Sequence, residues 1–325
     1  MNIERENVRI KDAIRAAKLY YEAAETMESI ALQLRVSRSS VSRLLSFARE
    51  RGLVEIRINE PREQQRLLEE RFLKKYGVKA HIVAAPSGVT ELEKLEIVAQ
   101  AAAPIIAAAV IPKQIVGLAW GSTLSAITRF LPNKEVYDVQ VVQMNGAANV
   151  RTSGISYTAG LLARFAQRFG AVMNQFPVPA LFDDPRTKEA MWRESSVKRV
   201  LELQRRAGLF IFGLGSPGAG VPSHVFADEY LNSADLELIK KEAVVGDCAT
   251  TFFRKDGSSH DISLNERSSG PTFEQIKAIA HRLCVVAGRG KRDALLGALR
   301  AGLITELVVD EHCARAVLDK AQAQA

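Results

Sequence analysis

Two kinds of hydrophobic pattern divide the chain. Near its beginning, apolar side chains recur at three- and four-residue spacings in short stretches, which predicts small helices. A first helix is expected over residues 8–21, with Ile10, Ile14, Ala17, Leu19 and Tyr21 toward a small core. Residues 27–44, MESIALQLRVSRSSVSRL, have the layout of a helix-turn-helix. Ile30, Leu34, Val36, Val41 and Leu44 supply the shared contact, Ala31 permits close approach, and Ser37 is suited to cap a helix that begins at Arg38. Arg35 stands in the turn, where positive φ is usual and costs a side-chain-bearing residue about 1 kcal/mol. Gly52 stops the second helix, and residues 53–58 alternate as the strand of a wing would. Residues 62–76 then carry Leu67, Leu68, Phe72 and Tyr76 at helical spacing, a stripe that fits a twin chain or the same chain equally well.

From Ala80 onward short apolar strands alternate with helices, the signature of an α/β domain with a largely parallel sheet. Strands are expected at 81–84, 114–119, 139–144, 209–213, 245–253, 283–287 and 306–309, and helices at 91–109, 157–169, 187–206, 234–242, 291–301 and 311–321. The predicted organisation is a winged helix-turn-helix over 1–60, a linker helix over 61–79 and the α/β domain over 80–325.

Composition narrows the partners. A 47% hydrophobic content over 325 residues supports one large core and a small satellite. The net charge of +7 favours polyanions, and residues 35–51 hold five arginines against Glu50 alone, a concentration suited to phosphates. Aromatics at 6% are too sparse for reading single strands by stacking. Cys248, Cys284 and Cys313 are widely separated, which argues for a reducing compartment and against a disulfide framework or a zinc site. The N-terminus has no apolar signal segment, and the longest apolar run, 101–111, is interrupted by Pro104 and falls short of a membrane span. A cytoplasmic protein without membrane partner, metal or cofactor is expected.

The candidate chemistry lies on one helix face and in the loops after strands. Arg38, Ser39, Ser40, Ser42 and Arg43 face outward on the second helix of the motif and, with Ser37 and Arg57 of the wing, are expected to meet double-stranded DNA. A helical hairpin with a solvated basic face would carry the same letters. In open parallel sheets ligands settle beyond the carboxyl ends of the strands. There, Gly121-Ser122-Thr123 opens a helix, and Gly288 through Lys291 offers a second glycine turn with a cation, so one phosphate can be held from two sides. Gln143 and Asn145, Gly213 and Gly215, and Asp247 are polar or open enough for sugar hydroxyls. Turn geometry alone would also account for these glycines, and Asp247 could serve only its own backbone. Gly213, Gly215 and Gly218 match a dinucleotide fingerprint, but Pro217 cannot open its helix, and Gly290-Lys291 lacks the rest of a Walker loop.

Taken together, SRSSVSRLLSFARERGLVEIRI, GLAWGSTL, VVQMNGA, AGLFIFGLGSPG, VVGDC and GRGKRDALLGALRAGLITELVVDEHCA resemble the SorC-type sugar-responsive transcriptional regulators of bacteria, over nearly the whole chain. The resemblance implies a Rossmann-like effector domain similar to sugar-phosphate isomerases and deaminases, assembly into homodimers or homotetramers, and control of operator binding by a phosphorylated sugar or polyol. It places phosphate on Gly121, Ser122, Thr123, Gly288 and Lys291, and the sugar on Gln143, Asn145, Gly213, Gly215 and Asp247. Many members have arginine where Ser122 stands, and no lysine in VVQMNGA is available for an imine. A sugar-phosphate isomerase or deaminase with an accessory DNA-binding head is the competing expectation. Against it, none of the five histidines, His81, His224, His260, His281 and His312, lies in these loops.

Overall fold

The computed structural model describes residues 2–54, 61–86, 88–149, 153, 155–221, 223–227 and 230–320. Its helices are α1 (Asn2–Ala17), α2 (Met27–Leu34), α3 (Arg38–Glu50), α4 (Pro61–Tyr76), α5 (Glu91–Ala109), α6 (Ser122–Phe130), α7 (Ile155–Phe169), α8 (Pro185–Met191), α9 (Ser195–Arg205), α10 (His224–Ala227), α11 (Ser233–Lys241), α12 (Ser263–Arg267), α13 (Phe273–Ala278), α14 (Arg292–Arg300) and α15 (Glu311–Lys320). The strands are β1 (Lys79–Val83), β2 (Ile115–Leu118), β3 (Gln140–Gln143), β4 (Val172–Asn174), β5 (Leu209–Phe212), β6 (Val244–Cys248), β7 (Thr251–Arg254), β8 (His281–Val286) and β9 (Glu306–Asp310). The chain forms two compact units, Met1–Glu60 and Pro61–Ala325.

In the first unit three helices close on small residues. Ala13, Ala16 and Ala17 of α1 meet Ile30 and Ala31 of α2 and Val41, Leu45, Phe47 and Ala48 of α3. The buried stripe of α1 therefore runs through alanines, which let the helices approach, and Ile14 and Tyr21, expected inside, are exposed. Val36 is exposed as well, while Leu34 and Leu44 pack only partly. After Ala17 the helix widens into a π-helical turn, Lys18–Glu22. Arg35 adopts the left-handed conformation (φ 53°, ψ 42°) that ends α2, the costly geometry its position predicted. Ser37 caps α3 by accepting from Ser40 N at 3.2 Å. The expected wing, including Arg57, lies largely outside the described residues.

The second unit is built on a seven-stranded sheet in the order β1-β9-β8-β5-β2-β3-β4, with every pairing parallel. Strands β2, β5 and β9 are buried along their whole length, as a sheet covered on both faces requires. Alternation decides the faces. Leu209 and Ile211 point into the layer holding Leu95 and Val98 of α5, Leu124 of α6 and Phe165 of α7, whereas Phe210 and Phe212 join Val197 of α9, Leu295 of α14 and Val317 of α15. Helix α4 docks on the latter layer through fully buried Leu68 and Phe72, so it is part of the second unit, while Leu67 stays exposed.

Several elements differ from the sequence expectation, among them the short helices α10, α12 and α13. Residues 245–253 form not one strand but the antiparallel hairpin β6–β7, separate from the main sheet. Its two-residue turn uses Ala249 (φ 48°) and Thr250 (φ 63°), left-handed positions normally given to Gly or Asn, so no turn signal was present to read. Residues 187–206 divide into α8 and α9, with Asp184 capping the first by accepting from Arg186 N at 2.8 Å. Strand β4 has only three residues, too few for alternation to register. No helix among the described residues is long and apolar enough to cross a membrane.

At the opposite end of the sheet from its carboxyl loops, nearly buried Glu306 pairs with Lys79 Nζ at 2.8 Å and with Nε2 of His81 and of His281, each at 2.7 Å. These residues come from β1 and β8, which flank β9. Burial works to raise the Glu306 pKa, but the three partners outweigh it and hold the carboxyl at about 2. Because that lies below the unfolded value of about 4.3, Glu306 stabilises the fold above that pH, and the contribution is lost as the pH falls toward about 2. Glu306→Gln should start less stable at neutral pH yet show a flatter decline of its urea midpoint below about pH 5. Parallel declines in the two proteins would refute this linkage. Phe72→Ala should cost about 3–5 kcal/mol in the same measurement.

Candidate functional site

After β2 the chain moves outward to β3, whereas after β5 it moves the other way to β8, so the loops of these adjacent strands diverge at the carboxyl edge of the sheet. A small, partly open cleft lies there. It is lined from β2 by Trp120, Gly121, Ser122 and Thr123, from β3 by Asn145, and from β5 by Gly213 and Gly215. Asp247 and Ala249 of the hairpin, Lys291, Ser223 and the first residue of α10, His224, also line it.

Each side carries a different chemistry. Gly121 precedes α6 with φ 144°, and no side chain caps the helix, so the first N–H groups of α6 remain for an anion at its positive end. Close approach is preserved by Gly213, where a Cβ would sit 3.2 Å from both Cβ and Oγ1 of Thr123. Across the cleft lining, Asn145 Oδ1 and Asp247 Oδ1 are buried acceptors without a hydrogen-bond partner. A buried acceptor left in that state costs about 1–3 kcal/mol, which donors of a bound molecule would relieve. Gly215 exchanges backbone hydrogen bonds with Asp247, and a Cβ at 215 would lie 1.7 Å from Asp247 Oδ1. The other carboxylate oxygen accepts from Thr250 N at 2.9 Å, which ties Asp247 to the left-handed turn.

Burial pushes the Asp247 carboxyl up to about 6, against the Thr250 hydrogen bond and the nearby Lys291 charge. Burial likewise lowers Lys291 to about 8, against the attraction of Asp247. The cleft thus holds a carboxylate and an ammonium together chiefly between those two values.

The structure brings Gly121, Ser122, Thr123, Asn145, Gly213, Gly215, Asp247 and Lys291 to one place, but two expected residues stand behind it. The Gly288 N–H donates to the fully buried Asp310 carboxylate at 2.6 Å, which corrects its reading as a phosphate donor. Gln143 is buried and spends its amide on Asn145 O (2.7 Å) and Phe176 N (3.2 Å), so it shapes the Asn145 loop rather than the cleft. Conversely His224, placed away from these loops by sequence, lines the cleft beside Trp120. Trp120 Nε1 donates to Gly146 O at 2.8 Å and so joins the loops after β2 and β3. The tryptophan adjoining Gly121 was a legible signal, whereas the return of a distant histidine was not.

In the first unit the exposed face of α3 presents Arg38, Ser39, Ser42 and Arg43. The Ser37 hydroxyl lies 2.8 Å from that of Ser39 and 2.9 Å from that of Ser40, and Arg43 Nε donates to Ser39 O at 3.4 Å.

A small basic helical head and a parallel α/β domain with a polar cleft at its strand ends define a ligand-binding transcriptional regulator. Residues 60–319 match a family model described as "Putative sugar-binding domain", and the chain belongs to that family. It is 30% identical to the deoxyribonucleoside regulator of Bacillus subtilis, covering 94% of this chain and 97% of the relative. A crystallised domain of a possible sugar-binding transcriptional regulator from Arthrobacter aurescens is 47% identical, with a TM-score of 0.75 over 80% of this chain and 100% of that one. The full-length sorbitol operon regulator SorC of Klebsiella pneumoniae is 25% identical, with a TM-score of 0.71 over 95% of this chain and 98% of that one. The chain is a carbohydrate-responsive transcriptional regulator of the SorC type.

Gly215→Ala should drive Asp247 from its position and abolish sugar-induced thermal stabilisation while leaving DNA binding measurable. Retention of the full thermal shift would show that Asp247 need not sit where it does.

Proposed function

We propose that a carbohydrate binds in the cleft with hydroxyls on Asn145 and Asp247 and an anionic group on Gly121, Ser122, Thr123 and Lys291. The orphaned pair of buried acceptors beside a cation carries this reading, since it asks for a ligand that is donor-rich at one end and negative at the other. Gly213 and Gly215 admit the ligand without contributing side chains. Ser122 supplies only a hydroxyl to the anion subsite, which favours a singly anchored phosphate and gives an unphosphorylated polyol the competing claim.

The bound form would bias the arrangement of a homodimer or homotetramer in the cytoplasm, and thereby the spacing of reading heads on double-stranded DNA. Ser37, Arg38, Ser39, Ser40, Ser42 and Arg43 would meet the duplex, with Arg57 of the wing beside them. The boundaries at 60 and 79 would separate head, connecting helix and effector domain in function, although α4 packs as part of the larger unit. His224 and Asp247 in one cleft would give an isomerase an imidazole and a carboxylate, but relatives named as transcriptional regulators favour a non-catalytic role.

A melting-shift screen of free and phosphorylated sugars and polyols tests the ligand class. A hit should lose its shift in Asp247→Ala, be recovered unchanged after incubation, and alter binding to promoter fragments; turnover of the hit would overturn the non-catalytic reading. For a phosphorylated hit, affinity should be greatest between about pH 6 and about 8, falling above as Lys291 deprotonates and below as Asp247 protonates. Lys291→Met should remove the alkaline limb. Arg38→Ala and Arg43→Ala should each abolish specific promoter binding and preserve the sugar-induced shift.

A further inference from the structure

We propose that Glu28 positions Arg38 to read a guanine in each half-site of the DNA, an inference that rests on the DNA-reading role proposed for α3. Arg38 is the first residue of α3, and its Nε lies 2.7 Å from Oε1 of Glu28 in the first turn of α2. Both side chains are largely exposed, at 70% and 63%. An ion pair in that setting contributes little to folding, about 0–1 kcal/mol. A carboxylate beside a surface meant for phosphates also opposes DNA approach. The energetics of the free head therefore do not account for the pair, whereas its geometry does.

The guanidinium has three edges from which its donors project. Glu28 lies against Nε, and no hydrogen bond among the described residues engages Nη1 or Nη2, so that edge is open to a partner. Two parallel donors at that spacing match O6 and N7 of guanine in the major groove. Adenine offers N7 but sets an amino donor against the second N–H, and neither pyrimidine has an acceptor pair of this shape. The rest of the first turn is differently occupied. The hydroxyls of Ser37, Ser39 and Ser40 face one another, and Arg43 Nε returns to Ser39 O, which suits these groups to phosphate contact more than to base discrimination. Arg38 is thus the long donor of that turn held away from its own backbone, and Glu28 limits the rotamers it must surrender on binding. Glu28 is a positioning residue and touches no base.

The test uses the full-length protein and a randomised duplex library. Wild type should enrich a half-site containing a guanine whose replacement by adenine weakens binding about ten- to hundredfold at fixed salt. Glu28→Ala should fold normally and bind random duplex with the wild-type salt slope, yet bind the guanine and adenine versions within about threefold. Glu28→Gln, of the same length, guards against a folding defect and should lose most of the same discrimination. Arg38→Lys, which lacks the fork, should also lose it. An undiminished guanine preference in both Glu28 variants overturns the inference alone. Failure to enrich any sequence overturns it together with the DNA-reading role.

Discussion

The cleft at the strand ends depends on one close backbone contact, the short bridge between Gly215 and Asp247. It docks the β6–β7 hairpin, which belongs to no strand of the main sheet, onto the loop after β5. Only hydrogen at residue 215 leaves space for the Asp247 carboxylate, and Gly246 meets a similar demand, since a Cβ there would lie 2.5 Å from Gly215 O. The hairpin then turns through two left-handed, side-chain-bearing residues. That geometry is unfavourable locally and is held by hydrogen bonds from Thr250 N to Asp247 and from Ser268 Oγ to Thr250 O. Packing of the surrounding core therefore supports a strained turn, and the turn in exchange fixes a buried acid whose second oxygen has no hydrogen-bond partner. The unpartnered oxygens of Asp247 and Asn145 lower stability at this point, a cost that on the proposed reading a ligand's donors would relieve.

The α/β class was legible because strands buried on both faces read as continuous apolar runs, and six of the expected segments fall on strands of the sheet. Helix α5 was readable to the residue, since Thr90 and Glu93 form a reciprocal cap just before its apolar stretch. The hairpin was not readable, because Ala249 and Thr250 are poor turn formers held by tertiary contacts. The alanine seam of α1 was hidden for a related reason: hydrophobicity points to Ile14 and Tyr21, while close helix packing selects Ala13 and Ala16.

The cleft was legible in proportion to how local its signals are. Gly121, Ser122 and Thr123 are adjacent in sequence and at a helix start, so backbone physics alone places them. Lys291 and Asn145 follow from being loop residues beyond strand ends, and Asp247 from standing at the margin of a strand. Gln143 failed this logic because alternation turned its side chain into the core, where its amide had backbone groups to satisfy. Gly288 failed because its N–H found a partner 22 residues later in sequence, Asp310, a contact no spacing rule encodes. His224 and Glu28 were missed for the same reason, since each matters through a residue distant in sequence.

Asp310 also decides how the glycine-lysine loop is mounted. Its carboxylate accepts from Gly288 N at 2.6 Å and from Cys313 N at 3.0 Å, so one buried group fastens the loop and caps α15. Helix α15 is in turn joined to α4 by Arg315, which donates to Gln64 Oε1 at 2.6 Å, with Arg71 and Asp319 3.7 Å apart farther along. The loop bearing Lys291, helix α15 and helix α4 consequently pack as one body, and α4 is the element that continues from the head's last residue. A ligand acts on such a body only through a difference in affinity between two of its placements, because close-packed interfaces move between discrete arrangements rather than bending gradually. On the proposed reading the small polar cleft and the long connecting helix become parts of one mechanical problem: what Lys291 would gain from an anion would be shared with the helix that follows the head in sequence.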